Sequence, residues 1–321
     1  MNSKTDRPGN LPSAELLVNP LMSTRDWVLL IFLSVVWGGS FYFVGVAIKE
    51  VPPFTIVFCR VAVAALVLWV VVGFKKQPLP ASVSVWGAFM VLGLLNNVIP
   101  FSLIAWGQSH IESGLASILN ATSPIFSAVL AHFFTRQEKL TPRRVLGIII
   151  GWLGVAVLFR IQMINGFGIK GLGQAAVLIA SVSYAVAAVF GTRLKQIPAL
   201  VTAAGMLTCS AVMTLPVSLV LDRPWHLSPD TGTLAAIFCL AAVSTSLAYL
   251  IYFKILATSG PTNILLVTFL IPVSAVFFGW LLLDERLGKD VFTGMGMIVI
   301  GLMVLDGRVM KRYLKKKNAI K

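Results

Sequence analysis

Ten apolar runs, most of them near 20 residues long, divide this chain between Trp27 and Leu305. A hydrocarbon layer of roughly 30 Å is crossed by about 20 helical residues, since each rises about 1.5 Å. The runs are Trp27–Ile48, Phe54–Phe74, Val83–Ala105, Ile111–Phe134, Val145–Phe159, Leu172–Gly191, Leu200–Leu221, Gly232–Phe253, Pro261–Leu283 and Val291–Leu305. Gly, Pro or charge marks nearly every break, as at Pro52-Pro53, Lys75-Lys76, Arg143-Arg144, Gly171, Pro198, Pro224, Gly260 and Gly288. Gaps this short make consecutive helices antiparallel neighbours and leave no room for an inserted soluble domain. Only 12% of the residues are charged and 57% are hydrophobic, against about 25% charged in a soluble domain. The expected fold is an all-α integral membrane protein with ten transmembrane helices.

Lys and Arg are shared unequally between alternate connections. The polar segment before the first run, the even-numbered loops and the C-terminal tail together hold 19; the odd-numbered loops hold 6. Basic loops stay on the cytoplasmic side, so both termini are expected there. The polar segment 1–26 has no apolar core followed by a small-residue cleavage site, so the first span is expected to act as the insertion signal. The basic tail 307–321 either sets orientation as a solvated segment or binds anionic headgroups. Because the charge alternates with the loops, it reads as topology and not as a nucleic-acid surface. A multi-pass protein of a bacterial inner (plasma) membrane is expected, with the lipid bilayer as its environment and its oligomeric state left open.

The halves 27–159 and 172–306 match at one offset of 147 residues. Ser127-Ala128-Val129 falls on Ser274-Ala275-Val276, Glu138 and Leu140 on Glu285 and Leu287, and Gly147 and Gly154 on Gly294 and Gly301. Trp37-Gly38 falls on Tyr184-Ala185. A unit of five helices is odd, so its second copy enters the membrane inverted. Inverted repeats belong to secondary transporters, in which a pseudo-two-fold axis in the membrane plane relates inward- and outward-open states. The glycines at equivalent places predict close packing of the fifth and tenth spans.

Polar side chains inside the spans are the candidates for a solute path, because they are costly in hydrocarbon unless paired or wetted. Asn96, Asn97 and Pro100 lie in the third span, and Asn120, Ser123 and Pro124 in the fourth. Asn120 and Pro124 share a face at a four-residue spacing, and the proline deprives the Asn120 carbonyl of its donor. Thr268 and Pro272 repeat that spacing. These residues either line a pathway or kink helices and glue them together. Trp37 and Tyr184 stand mid-span at equivalent repeat positions, as candidate walls; Tyr249 joins them, while Tyr42, Trp106 and Tyr252 lie nearer span ends and suit an interfacial belt. An aromatic, amide-lined site suits amino acids or related metabolites. Arg60, deep in the second span, is a gate or solute contact, with Glu112 or Glu50 as a possible partner. His132 lies near the end of the fourth span, more in keeping with packing than with a proton relay.

The segments Trp37-Gly38-Gly39-Ser40-Phe41, Pro52-Pro53 with Arg60, and Asn120 to Val129 followed by Glu138 to Pro142 resemble the EamA-type branch of the drug/metabolite transporter superfamily. Ile271 to Val276 and Asp284-Glu285-Arg286-Leu287 repeat the signature, whereas Ser183-Tyr184-Ala185 departs from it. The resemblance implies ten helices around a central cavity and two EamA-like repeats, and it says nothing of the solute.

No GxxxxGK[ST] is present, hence no ATP-driven engine in this chain, and no HExxH or GxSxG set of a membrane enzyme. Cys59, Cys209 and Cys239 fall singly, with neither a disulfide framework nor a metal site implied. No cofactor is expected. A secondary transporter moving a small-molecule solute remains, expected to export an amino acid or related compound; a proton-coupled exporter is the alternative, and a channel or membrane enzyme fits less well. No acidic residue lies deep in a span, which favours facilitated diffusion or exchange over a buried carboxylate relay. A reporter fused after Lys321 is expected to be active only as a cytoplasmic fusion; activity on the outer side would overturn the orientation.

Overall fold

The computed structural model describes residues 22–134, 140–164 and 168–306. Glu138, most of the polar N-terminal segment and the basic tail 307–321 lie outside the described residues. Among the described residues the chain is helical, in ten antiparallel rods. These are α1 (Thr24–Ala47), α2 (Pro53–Phe74), α3 (Val83–Gln108), α4 (Ser113–Phe134), α5 (Pro142–Ile164), α6 (Gly168–Leu194), α7 (Ala199–Asp222), α8 (Thr231–Gly260), α9 (Val267–Leu282) and α10 (Lys289–Asp306). Eight of them are long and apolar enough to cross a bilayer, and α9 is apolar but shorter. Local chemistry sets their ends. The Ser23 hydroxyl accepts from the Asp26 amide at 3.1 Å as the cap of α1, and Pro53 starts α2, where its missing N–H has no helical partner to lose.

Most predicted spans fall within these helices, with two differences. The eighth was expected to end at Phe253, but the helix runs on to Gly260, whose φ of 77° only glycine adopts freely. A short helical turn follows to Ile264, so the main rod of the ninth span begins at Val267 and not at Pro261. The fourth span is not one continuous helix: residues 121–122 form a turn between Ser113–Asn120 and Ser123–Phe134.

The two halves interlock. α1 packs on α8 and α9 of the second half, and α6, its repeat equivalent, packs on α3 and α4 of the first. α2 pairs with its own equivalent α7, and α5 with its equivalent α10. Large apolar side chains such as Val28, Leu66, Ile179, Phe238 and Trp280 face outward, as a lipid-facing surface requires.

α5 and α10 pack backbone against backbone, and glycine makes this possible. A Cβ on Gly147 would lie 2.6 Å from the Gly301 carbonyl oxygen, and one on Gly154 would lie 2.8 Å from the Gly294 carbonyl oxygen. The offset of 147 carries the first pair onto the second, which puts the pseudo-two-fold axis between these helices, as the repeated glycines predicted. Backbone cannot yield as a flexible side chain can, and overpacking of this kind costs about 1–3 kcal/mol. Gly301→Ala is therefore expected to lower the thermal unfolding temperature of the detergent-solubilised protein. Gly296→Ala, on the same helix with open space around it, is the control and should be neutral or slightly stabilising. Equal behaviour of the two variants would remove the glycines from this role.

Candidate functional site

Midway along α3 and α8 the helix widens into a π turn, at Leu94–Val98 and at Ala242–Leu247. The two turns overlap under the 147-residue offset. π turns inside α-helices are rare and gather at functional sites. Their causes differ. In α3 the Ile99 amide reaches back five residues to the Leu94 carbonyl. The next amide in that pattern would belong to Pro100, which has none, so the Leu95 carbonyl is left without its donor. Ser183 of α6 supplies one at 2.7 Å. In α8 hydroxyls enter the ladder instead: Thr245 and Ser246 donate to the carbonyls of Leu240 and Ala241, at 2.8 and 3.0 Å. Ser244 of the same turn donates across to the Val36 carbonyl of α1 at 3.0 Å.

These two cross-ties carry the candidate aromatic residues. Ser183 precedes Tyr184, and Val36 precedes Trp37, so each bulged helix of one half holds the first helix of the other just beside its mid-span aromatic. Trp37 lies against Tyr252, with ring centroids 5.7 Å apart. Tyr252 is thus part of this interior cluster, in place of the interfacial belt expected for it. Tyr249, one turn away, stacks on Phe253 at 5.8 Å and accepts at its hydroxyl from Asn96 Nδ2 at 3.2 Å.

Arg60 enters the same region from α2. Its Nε donates to Thr245 Oγ1 at 2.9 Å, and its Cζ sits 3.7 Å from the centroid of the Phe101 ring. Tyr184 and Tyr249 pack against the same apolar cluster as Phe101. Among the described residues no salt bridge joins Arg60 to Glu112 or Glu50. Glu112 is the N-cap residue of α4 with no capping bond from its side chain, and Glu50 Oε2 accepts from the Asp230 amide at 2.9 Å. A lone charge at mid-bilayer costs about 2.5–3.5 kcal/mol on insertion scales. The Thr245 hydroxyl and the Phe101 ring lessen that cost without cancelling the charge.

The other candidates separate by their partners. Asn97 is fully buried and donates to Ser210 of α7 at 3.0 Å, a bond that joins helices. The turn at 121–122 removes the continuous helical face assumed for Asn120 and Pro124; Pro124 instead stands second in a new helix, where its ring is tolerated. The Asn120 carbonyl accepts from Ser123 Oγ at 2.7 Å and sits 3.4 Å from Ser181 Oγ. Its amide oxygen Oδ1 is buried and has no partner among the described residues. Thr268, second in α9, donates to the Leu265 carbonyl at 2.7 Å, while Pro272 lies buried inside that helix. His132 Nδ1 accepts from the Leu140 amide at 3.1 Å, a local chain contact.

Three acids tie the halves together at the end of the bundle away from Met22 and Asp306. Glu285, after α9, accepts from the first amides of α4, Ser113 at 2.6 Å and Gly114 at 3.0 Å. Asp222, at the end of α7, accepts from the Thr55 amide and hydroxyl in the first turn of α2, at 2.6 and 2.9 Å. Glu50 makes the third tie, to Asp230 at the start of α8. Carboxylates at helix N-termini answer both free amides and the helix dipole. Beside Glu285 lies a cavity of about 300 Å³, bordered by Gly45, Lys49, Gln108, Ser109 and Ser113. Sequence reasoning missed Thr245, Phe101, Gln108 and Glu285 as site residues. The run Ser244-Thr245-Ser246 inside an apolar span was a readable signal; the ring of Phe101 gave none.

Comparison with known proteins bears directly on this architecture. The model of the EamA-like transporter family matches twice, over residues 25–160 and 171–305, one match for each half. The uncharacterized transporter YoaV of Bacillus subtilis is 25% identical over 279 residues, covering 86% of this chain and 94% of that protein. A probable amino-acid metabolite efflux pump of Escherichia coli is 27% identical over 292 residues, covering 88% and 95%. The inner membrane transporter YedA of Escherichia coli is 23% identical over 279 residues, covering 85% and 88%. One crystal structure superimposes with a TM-score of 0.63 at 16% identity over 88% of this chain and 98% of its own, a likeness of fold. With both halves matched and nearly the whole of α1 to α10 covered, the chain belongs to the EamA-like transporter family and is a membrane transporter, not an enzyme.

Proposed function

We propose that this protein is a secondary transporter that exports a small metabolite, an amino acid or related solute, across the plasma membrane by alternating access. The observation that carries this reading is the pair of equivalent cross-ties, Ser183 to Leu95 and Ser244 to Val36. Each lies one residue from Tyr184 or Trp37 and joins the first helix of one half to the third helix of the other. A site at a repeat interface, formed by helices with broken ladders, is the arrangement expected of carriers. The names of the relatives from Escherichia coli, an amino-acid metabolite efflux pump and an inner membrane transporter, agree with the solute class and the location. With the charge imbalance placing both termini in the cytoplasm, the end tied by Glu285, Asp222 and Glu50 is the outer one. These ties hold the outer ends of α2, α4 and α8 together, in keeping with a conformation closed toward the outside.

The mode of coupling we favour is facilitated diffusion or exchange down the solute gradient. Of Glu112, Glu50 and His132, the groups near span ends that a proton route would need, Glu50 accepts from the Asp230 amide across the two halves and His132 from the Leu140 amide, Glu112 makes no capping bond, and no carboxylate meets Arg60 among the described residues. Proteoliposomes loaded with an unlabelled amino-acid mixture are expected to take up labelled solute by counterflow, with an imposed pH gradient giving no uphill accumulation at clamped voltage. Flux without counterflow would indicate a channel. Accumulation driven by the pH gradient and abolished by a protonophore would establish the proton-coupled alternative.

A further inference from the structure

We propose that Arg60 is the receptor for a carboxylate on the transported solute, so that the protein selects small organic acids, zwitterions included, with an apolar body. This rests on the reading of the central cluster as the solute site.

The guanidinium is a rigid fork with five N–H donors and a permanent charge. In this structure one donor, Nε–H, is used by Thr245, and one face is covered by Phe101. The four N–H bonds on the two terminal nitrogens have no acceptor among the described residues. Those nitrogens are not sealed off either, in contrast to the buried and partnerless Asn120 Oδ1 and Gln108 Oε1. Arg60 as a whole is only half-buried. The protein therefore fixes the orientation of the fork with Thr245 and Phe101, and leaves its two-pronged edge open.

Charge narrows what fits that edge. Arg60 is a single cation, and its repeat equivalent is Leu207, so there is no second positive group across the pseudo-axis. A carboxylate matches one guanidinium in charge and in geometry, with two oxygens for two parallel N–H bonds. A phosphate dianion would remain undercompensated. The surroundings narrow the rest of the solute. Tyr249 stacks on Phe253, and the ring contacts continue through Tyr252 to Trp37; among the described residues no carboxylate is bonded to these rings to demand a strongly cationic ligand. Such a setting takes a hydrocarbon or aromatic body.

Ligand-induced thermal stabilisation of the purified full-length protein tests this without a transport assay. The probes are isovalerate, phenylacetate and L-leucine, with phenylacetamide, phenethylamine and sodium chloride as matched controls. The expected result is a concentration-dependent rise in unfolding temperature with at least one carboxylate and none with the controls. The Arg60→Gln variant is expected to weaken that effect at least tenfold, and Arg60→Lys, which keeps the charge but not the fork, to lie between. Should Arg60→Gln fail to fold, the contrast of phenylacetate with phenylacetamide on the native chain decides. Equal stabilisation by the amide, the same shift with chloride, no shift from any of the three acids, or unaltered carboxylate binding by Arg60→Gln would each overturn the proposal. Proteoliposomes that exchange only solutes lacking a carboxylate would sink it while leaving the transporter reading intact. Arg60-dependent carboxylate binding without any flux would do the reverse.

Discussion

A backbone in hydrocarbon has no water to fall back on, so every interrupted helical bond must find a partner within the protein. This requirement organises the centre of the molecule. The missing amide of Pro100 leaves the Leu95 carbonyl unpaired, and Ser183 answers it from the other half. In α8 the hydroxyls of Thr245 and Ser246 occupy carbonyls five residues back, and Ser244 is free to reach α1. Satisfying the broken ladders thereby locks each first helix to the opposite third helix. The same turn places Thr245 against Arg60, and Tyr184 packs on the apolar cluster that holds Phe101, so the polar cluster follows from backbone chemistry before any solute is considered.

The scaffold is symmetric and the side chains upon it are not. Trp37 and Tyr184 are equivalent, as are the two π turns and the glycine pairs of α5 and α10. Arg60, Asn96, Phe101 and Tyr249, however, have Leu207, Val243, Ala248 and Ser102 as their counterparts. The cluster takes its cation and amide from one half and its hydroxyls from the other. At the end of the bundle tied by Glu285 the same departure appears. Glu285 grips two amides, at Ser113 and Gly114, whereas the equivalent residues Gly260 and Pro261 can offer one N–H at most. Symmetry supplies the geometry of two mirror arrangements, and the unmatched residues give the site its polarity.

Much of this was legible in the residues because membrane insertion imposes strong rules. Length and apolarity gave the ten helices, and repeated glycines gave the α5–α10 contact. What was not legible depends on local backbone outcomes. Asn120 and Pro124 looked like neighbours on one helix, but spacing rules presuppose a continuous helix and the chain turns at 121–122. Tyr252 looked interfacial because the end of α8 was placed too early; the helix continues to Gly260 and leaves that ring inside. Asn96 and Asn97 are adjacent in sequence and part in role, one facing Tyr249 and the other Ser210, since successive helical residues point about 100° apart. The pairing of Arg60 with Thr245 and Phe101 needs three helices from two halves, which no local pattern encodes.

The glycine seam has one more property. The operation that exchanges the two halves carries the Gly147–Gly301 contact onto Gly294–Gly154, so the seam is its own mirror image. Any rearrangement that turns one facing of the molecule into the other must pass through an element that looks alike from both. Such an element has no preferred direction. Under the alternating access proposed above, alterations in it would weigh on both facings together and change how much folded protein persists, while the choice between facings would be left to residues without a like counterpart, such as Arg60.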